Sequence, residues 1–279
     1  MGSIGIVTLL IILVTCYASY NGIRELGYFD RYTFQVDKIL IHKEYTRLFT
    51  SGFIHVGWMH LVFNLVAFNS FGSALEHLFG IPKYLGLYLG SLLGGNLFAL
   101  FIHRNHSAYT ACGASGAISG LIFSFITLYP DSSLGLLIIP VHLPGWVFGL
   151  VYILVSIYGI RSRAGNIGHE AHLGGGVAGM LITLLMFPSA LAENYITILV
   201  MLIPAAVFMY LTIARPEFLL VENPFSKPTG DYTVEDRYND ARRRQEKLLD
   251  HLLDKIHRHG IESLTRKEKE QLEKLSNSK

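Results

Sequence analysis

The 279-residue chain is expected to fold as an all-α, polytopic membrane helix bundle, and three features of its sequence point there. Hydrophobic residues make up 51% of it and charged residues 16%, where a soluble domain carries about 25% charged residues. The charge is segregated: 9 Lys/Arg and 8 Asp/Glu lie in residues 1–213, against 14 and 13 in residues 214–279. Apolar stretches near the roughly 20 residues that a span requires recur at about 3–20, 54–75, 83–103, 113–129, 145–160, 168–187 and 195–213. The net charge of +2 comes from two nearly neutral parts and gives no reason to expect a nucleic-acid partner.

The first run, Ile4–Ala18, lacks a basic start and a small-x-small site at Tyr17-Ala18-Ser19-Tyr20. It therefore reads as a retained span rather than a cleaved signal. The 21–53 connection interleaves Tyr28, Phe29, Tyr32 and Phe34 with Arg24, Arg31, Lys38, Lys43 and Arg47. That mixture suits the headgroup region and equally suits an ordinary structured loop. Residues 131–145 place Pro140 and Pro144 around a strand-like run, Leu134–Ile139, and read as a re-entrant or interfacial connector.

Beyond Arg215-Pro216 the composition changes, and Asn223–Gly230 reads as linker. Residues 233–258 carry Leu248, Leu249, Leu252, Leu253 and Ile256 at helical spacing, with Gly260 as the stop. Thr265 followed by Glu268 predicts a capping box that opens a second helix. The Arg242–Arg244 run is surrounded by Asp and Glu and reads as a solvated face. The expected organisation is a membrane core over 1–190, an extra span over 191–213, a linker over 214–232 and a soluble, charged helical hairpin over 233–279. Cys16 and Cys112 lie in or beside apolar segments and predict no disulfide framework; Cys112 is read as space-filling.

Polar residues inside these spans are the chemical signal, because a polar group at membrane depth is unfavourable without partners. Ser115 stands in Gly113-Ala114-Ser115-Gly116 where the fourth span opens. Helix N-termini offer free N–H groups and a positive dipole end, and flanking glycines allow close approach of a substrate. Such a Ser can be a nucleophile, or it can be satisfied by a carbonyl one turn back. His172 sits in a later span and can act as a general base, or can bond structurally to a neighbouring helix. Glu170 falls on a different helix face from His172, which favours a Ser–His dyad over a triad. His60 and Asn64, at i, i+4, share one face of the second span and supply plausible oxyanion donors or a polar interhelical seam. His55 precedes them, nearer the membrane surface. Gly116 and Gly120, and Gly175 and Gly179, follow the spacing that lets two helix backbones meet, beside Ser115 and His172 respectively. His169-Glu170-Ala171-His172 is one residue short of a zinc-binding His-Glu-x-x-His, and no third ligand is evident. Neither a metal nor a cofactor is expected.

Taken together, Arg47, His55, His60, Asn64, the Gly113–Gly116 run, and Ala171-His172 with Gly175 and Gly179 resemble the rhomboid intramembrane serine proteases over roughly residues 4–187. The resemblance implies a six-helix core, to which the 195–213 stretch adds a seventh span. It implies Ser115 as nucleophile and His172 as base, with an oxyanion hole from His60, Asn64 and the backbone around Gly113 and Ser115. It assigns structural support to His55, Arg47, Glu76, Gly116, Gly120, Gly175 and Gly179. The 21–53 connection would dip into the outer leaflet, and the tail looks like a hairpin appended to some bacterial rhomboids. Two departures stand out. The Trp-Arg pair typical of the first loop reads Thr46-Arg47, and a Tyr that many members place one turn after the nucleophile reads Ser119.

The implied activity is cleavage of transmembrane segments of membrane proteins, in a bacterial inner (cell) membrane, with transmembrane substrates and the lipid bilayer as partners. The alternative is a non-catalytic relative that binds transmembrane clients; such relatives usually lack the Ser or the His, and this chain keeps both. A transporter would need polar residues tracing a path across the membrane, whereas here they cluster around one Ser–His site. The family orientation puts the N-terminus in the cytosol. The positive-inside rule argues the reverse, since Arg24, Arg31, Lys38, Lys43, Arg47, Arg104, Arg161 and Arg163 face the active-site side and only Lys83 the other. The core is expected to follow the family; the tail's side stays open.

Overall fold

A computed structural model describes residues 4–135, 142–162 and 167–214, together with residues 252, 255, 256, 263–265, 268, 269 and 272 of the tail. Outside the described residues lie Leu136–Ile139 of the strand-like run, Pro140, Arg163, the 223–230 linker, the Arg242–Arg244 run, Gly260 and most of the 233–258 helix.

The described chain runs α1 (Ile6–Arg24), α2 (Leu26–Tyr32), β1 (Phe34–Gln35), α3 (Val36–Leu40), α4 (Arg47–Thr50), a 3-10 turn (Ser51–Phe53) and α5 (Trp58–Phe79). It continues through α6 (Ile81–His103), β2 (Thr110–Ala111), α7 (Ser115–Leu128), β3 (Ser133–Gly135), β4 (His142–Pro144), α8 (Gly145–Ser162), α9 (His169–Met186) and α10 (Ser189–Ala214). The strands are two small antiparallel ribbons, β1 with β2 and β3 with β4. The protein is an all-α, multi-pass membrane bundle. Helices α1, α6, α8 and α10 are long and apolar enough to cross a membrane, and α4 with its 3-10 turn joins α5 across a 94° bend as one further candidate.

Helices α7 and α9 fall outside that set, and α7 is the informative case. Its 14 residues reach about 21 Å, short of the hydrocarbon thickness of about 30 Å. Most of them are buried, from Gly116 to Thr127. A helix enclosed by other helices need not match the bilayer, and its first residue can lie below the surface. Its C-terminal carbonyls are capped from α10: Asn194 Nδ2 donates to the Thr127 carbonyl at 3.0 Å and lies 3.4 Å from that of Leu128. Asn194 is itself the break in α10, with φ −123.

Glycine lets α6, α7 and α9 touch through their backbones. A Cβ at Gly175 would collide with the Gly116 carbonyl, and one at Gly179 with the Gly120 carbonyl. A Cβ at Gly95 of α6 would come within 2.5 Å of the Ala171 carbonyl of α9. The Thr183 hydroxyl lies 2.7 Å from both the Gly179 carbonyl and Ser124 Oγ, closing the lower end of the α7–α9 contact.

Helix α1 is fixed by a carboxylate from α5. Buried Glu76 accepts the Val7 and Thr8 N–H groups at 2.9 and 2.8 Å and the Thr8 hydroxyl at 2.8 Å. These amides belong to the first turn of α1, which has no intrahelical acceptor for them. Gly80, at φ +71, then turns the chain into α6, whose first turn tolerates Pro82 because no N–H is needed there.

The 21–53 connection is ordered around Arg47. Its buried guanidinium donates to the carbonyls of Asp30 (2.6 Å) and Thr33 (2.9 Å) and pairs with Glu44. That hydrogen bond holds the Glu44 carboxyl below its usual range. Ile41 and Tyr45 of the same connection are exposed. Asn96 of α6 reaches up to the Leu48 carbonyl at 2.7 Å, tying this layer to the bundle.

Candidate active site

Ser115 opens α7 as the sequence predicts, and the approach to it depends on Gly113. That residue has φ +117, a conformation that side chains rarely adopt. A Cβ there would also fall 2.9 Å from His60 Cε1 and 3.0 Å from its Nε2, so the imidazole of His60 lies directly over the Gly113 backbone. The Gly113 N–H donates to the Ser51 carbonyl at 2.9 Å, which anchors the loop to the 3-10 turn.

His55 holds the next residue. The Ala114 N–H donates to His55 Nε2 at 3.4 Å. Its other nitrogen, Nδ1, lies 3.0 Å from Ser19 Oγ of α1, and Ser19 donates to the Phe53 carbonyl at 3.2 Å. The chain of donors fixes the tautomer: Nε2 accepts, so Nδ1 carries the proton and donates to Ser19. His55 is fully buried and edge-on to His60, with ring centroids 4.8 Å apart. Asn64 is buried one turn below His60. Its Nδ2 donates to the His60 carbonyl at 2.9 Å, leaving a second N–H on the same nitrogen. Its Oδ1 has no partner among the described residues.

His172 stands in the first turn of α9, with its N–H on the Gly168 carbonyl at 3.1 Å. The residues beside the pair are in contact: a Cβ at Gly116 would lie 3.1 Å from the Ala171 carbonyl and 3.6 Å from the Ala171 Cβ. Ser115 and His172 thus occupy adjacent ends of two helices in backbone contact. Among the described residues no hydrogen bond joins their side chains.

Sequence reasoning missed the ring that packs on His172 from another helix. Tyr152 of α8 packs against it with ring centroids 6.0 Å apart. The Tyr152 hydroxyl is 2.6 Å from Ser119 Oγ, and Ser119 donates to the Ser115 carbonyl at 2.7 Å. Nothing in the spacing of α8 separates Tyr152 from Trp146, Phe148 or Tyr158. Ser119 was visible only as a departure from a family pattern.

Glu170 is turned toward α6, where its Oε1 is 3.0 Å from His103 Nε2, and the His103 ring stacks on Tyr109 at 3.5 Å. It is engaged away from His172, as its helix face predicts. His169 and His172 are edge-on with centroids 6.0 Å apart. Cys112 and Cys16 form no disulfide with each other, and both are half-buried. Of the remaining support candidates, Arg47, Glu76, Gly120, Gly175 and Gly179 lie in the contacts described above, with Gly175 against Gly116 beside Ser115.

Comparison with known proteins adds a family. A model described as Rhomboid domain matches residues 42–189, and a family of unknown function, DUF6576, matches residues 232–278. Rhomboid protein 1, mitochondrial, of Saccharomyces cerevisiae is 32% identical over 51% of this chain and 43% of its own length. RHOMBOID-like protein 12, mitochondrial, of Arabidopsis thaliana is 34% identical over 46% of this chain and 42% of its own. Rhomboid protease GluP of Bacillus subtilis is 28% identical over 51% of this chain and 26% of its own. The chain therefore spans less than half the length of each of these relatives.

Proposed function

We propose, from the premise that this chain belongs to the rhomboid family, that it is an intramembrane serine endopeptidase acting through Ser115 and His172. The observation that carries the proposal is the backbone contact of Gly116 with Ala171 and Gly175, with His60 laid over Gly113 at the same helix end. Those contacts support a nucleophile, a base and a donor converging on one point at the start of α7.

In this reading a substrate's transmembrane segment presents an unwound peptide bond at the mouth of the site. Ser115 Oγ bonds to the carbonyl carbon while its proton passes to His172. The oxyanion is held by the Ser115 N–H, His60 and the spare N–H of Asn64, with the Gly113 backbone shaping the hole. His172 returns the proton to the leaving amine as the C–N bond breaks. Water, deprotonated by His172, then releases the acyl group and regenerates Ser115.

The same proposal divides the chain into a membrane core over 1–190, an extra span over 191–213, a linker over 214–232 and a charged tail over 233–279. The relatives above include mitochondrial and bacterial proteins, so membership in the family carries a membrane without carrying which one. A bacterial inner membrane is proposed from the sequence reading alone.

The test is cleavage of a single-span protein by the purified chain in lipid vesicles, beside Ser115→Ala and His172→Ala. Cleavage by the parent alone is expected. Equal cleavage by Ser115→Ala would overturn the assignment; stable binding of the segment without cleavage would favour a client-binding protein.

A further inference from the structure

We infer that Tyr152 is the positioning residue of the Ser115–His172 pair, its ring setting the plane of the imidazole while its hydroxyl is registered to the turn that carries the nucleophile. The inference rests on the protease reading above. An imidazole rotates in a broad two-fold well about its second side-chain torsion, so a base that must face one hydroxyl needs a surface to lie against. Among the described residues, two rings pack against His172. His169 is edge-on from the same helix, and Tyr152, tilted 38°, comes from another. The Tyr152 ring is confined in turn: Phe123 of α7 is edge-on to it at 5.6 Å, and Phe148, one turn earlier on α8, stacks at 6.1 Å. Gly176 of α9 makes room for this group, since a Cβ there would lie 3.1 Å from the Phe123 ring.

The hydroxyl supplies direction. Ser119 Oγ has one proton, and its geometry directs that proton to the Ser115 carbonyl at 2.7 Å. The contact of 2.6 Å between Ser119 Oγ and the Tyr152 hydroxyl is then a bond that Tyr152 donates. A single side chain therefore touches both halves of the pair, the base through its ring and the turn of the nucleophile through Ser119. It comes from α8, a helix that carries neither group. An isolated core tyrosine would require no such pairing with residue 119.

The experiment compares Tyr152→Phe, Tyr152→Leu, Ser119→Ala and the double variant Tyr152→Phe/Ser119→Ala in the full chain in lipid vesicles. Initial rates on a single-span substrate give kcat and KM, and a fluorophosphonate reports the reactivity of Ser115 without a bound substrate. Tyr152→Leu is expected to lower kcat about 10²-fold, the scale for misplacing a reacting group by about 1 Å. KM should stay unchanged and labelling slow in parallel. Tyr152→Phe and Ser119→Ala should each lower kcat about two- to tenfold, and the double variant no further, because one shared bond is lost in all three. Wild-type kcat in Tyr152→Leu, or a raised KM at unchanged kcat, would overturn the inference. So would a double variant whose loss is the product of the two single losses. If Tyr152→Leu fails to fold, the two hydroxyl variants, which keep the ring, decide through the same comparison. A parent protein that neither cleaves nor labels would overturn the protease reading and this inference with it. An active parent with indifferent variants would overturn the inference alone.

Discussion

The Ala114 N–H donates to Nε2 of His55 at 3.4 Å, one residue before Ser115. This makes His55 the link between α1, through Ser19, and the loop that presents the candidate nucleophile. His55→Ala would leave the Ala114 N–H without its partner in a buried place, at a cost of about 1–3 kcal/mol. The variant is expected to unfold at lower temperature and to lose turnover through a displaced loop. Ser19→Ala should show a smaller loss of stability and near-normal kcat. Thermal unfolding in detergent alongside vesicle cleavage reads both; an unchanged unfolding temperature in His55→Ala would refute the linkage.

Glu76 predicts an effect on stability with no direct effect on chemistry. Its carboxylate is the shared acceptor for two first-turn amides and one hydroxyl of α1. Hydrogen bonds to a charged group contribute about 1.5–3 kcal/mol, and Glu76→Ala should lose an amount of that order. Glu76→Gln keeps one acceptor oxygen and should fall between. Denaturant unfolding orders the three proteins. Glu76→Ala as stable as the parent would mean that water replaces the carboxylate.

Helix positions were legible because length and apolarity report a span directly. The opening of α7 at Ser115 and the close approach of Gly116 to Gly175 were legible for a related reason: small residues at four-residue spacing act within one helix and admit a partner. What was not legible is which faces meet. On α1 the buried face is Val7, Thr8, Thr15, Ser19 and Gly22, while Ile6, Leu10, Leu13 and Tyr17 face outward. Lipid is as apolar as leucine, so the packed face is marked by small and polar residues rather than by hydrophobic periodicity. On α1 that mark is Thr8, Thr15, Ser19 and Gly22. Tyr152 and Asn194 act across long sequence separations, on Ser119 and on the end of α7, and no local spacing encodes such pairs.

The glycine contacts separate substitutions of equal size. Gly179→Ala would drive a methyl into the Gly120 carbonyl, where only backbone movement can relieve it. Overpacking of this kind costs about 1–3 kcal/mol, and parting α7 from α9 should also suppress cleavage. Gly86→Ala, on α6, meets only the flexible end of Met186 at 3.7 Å. It should be neutral or slightly stabilising, given the better helix propensity of Ala. The pair is measured by thermal unfolding and vesicle cleavage. Equal behaviour of the two variants would contradict the backbone contact.

The tail carries a pH prediction that is independent of catalysis. The expected capping box is present: the Thr265 N–H donates to Glu268 Oε2 at 2.7 Å, and the Glu268 N–H to Thr265 Oγ1 at 3.3 Å. Lys255 donates to both carboxylate oxygens of Glu268, at 2.8 and 2.9 Å. Lys255 first, and then the Thr265 amide, lower the Glu268 carboxyl from 4.5 to about 2. A depressed carboxylate stabilises the folded form above its unfolded value and ceases to do so once protonated. The contribution is therefore complete above about pH 4.5 and fades as the pH falls toward 2. A side-chain NMR titration of Glu268 in the full chain should give a midpoint near the lower value, and Lys255→Ala should move it back toward the ordinary one. A midpoint near 4.5 in the parent would mean that the Lys255–Glu268 pair does not hold in solution.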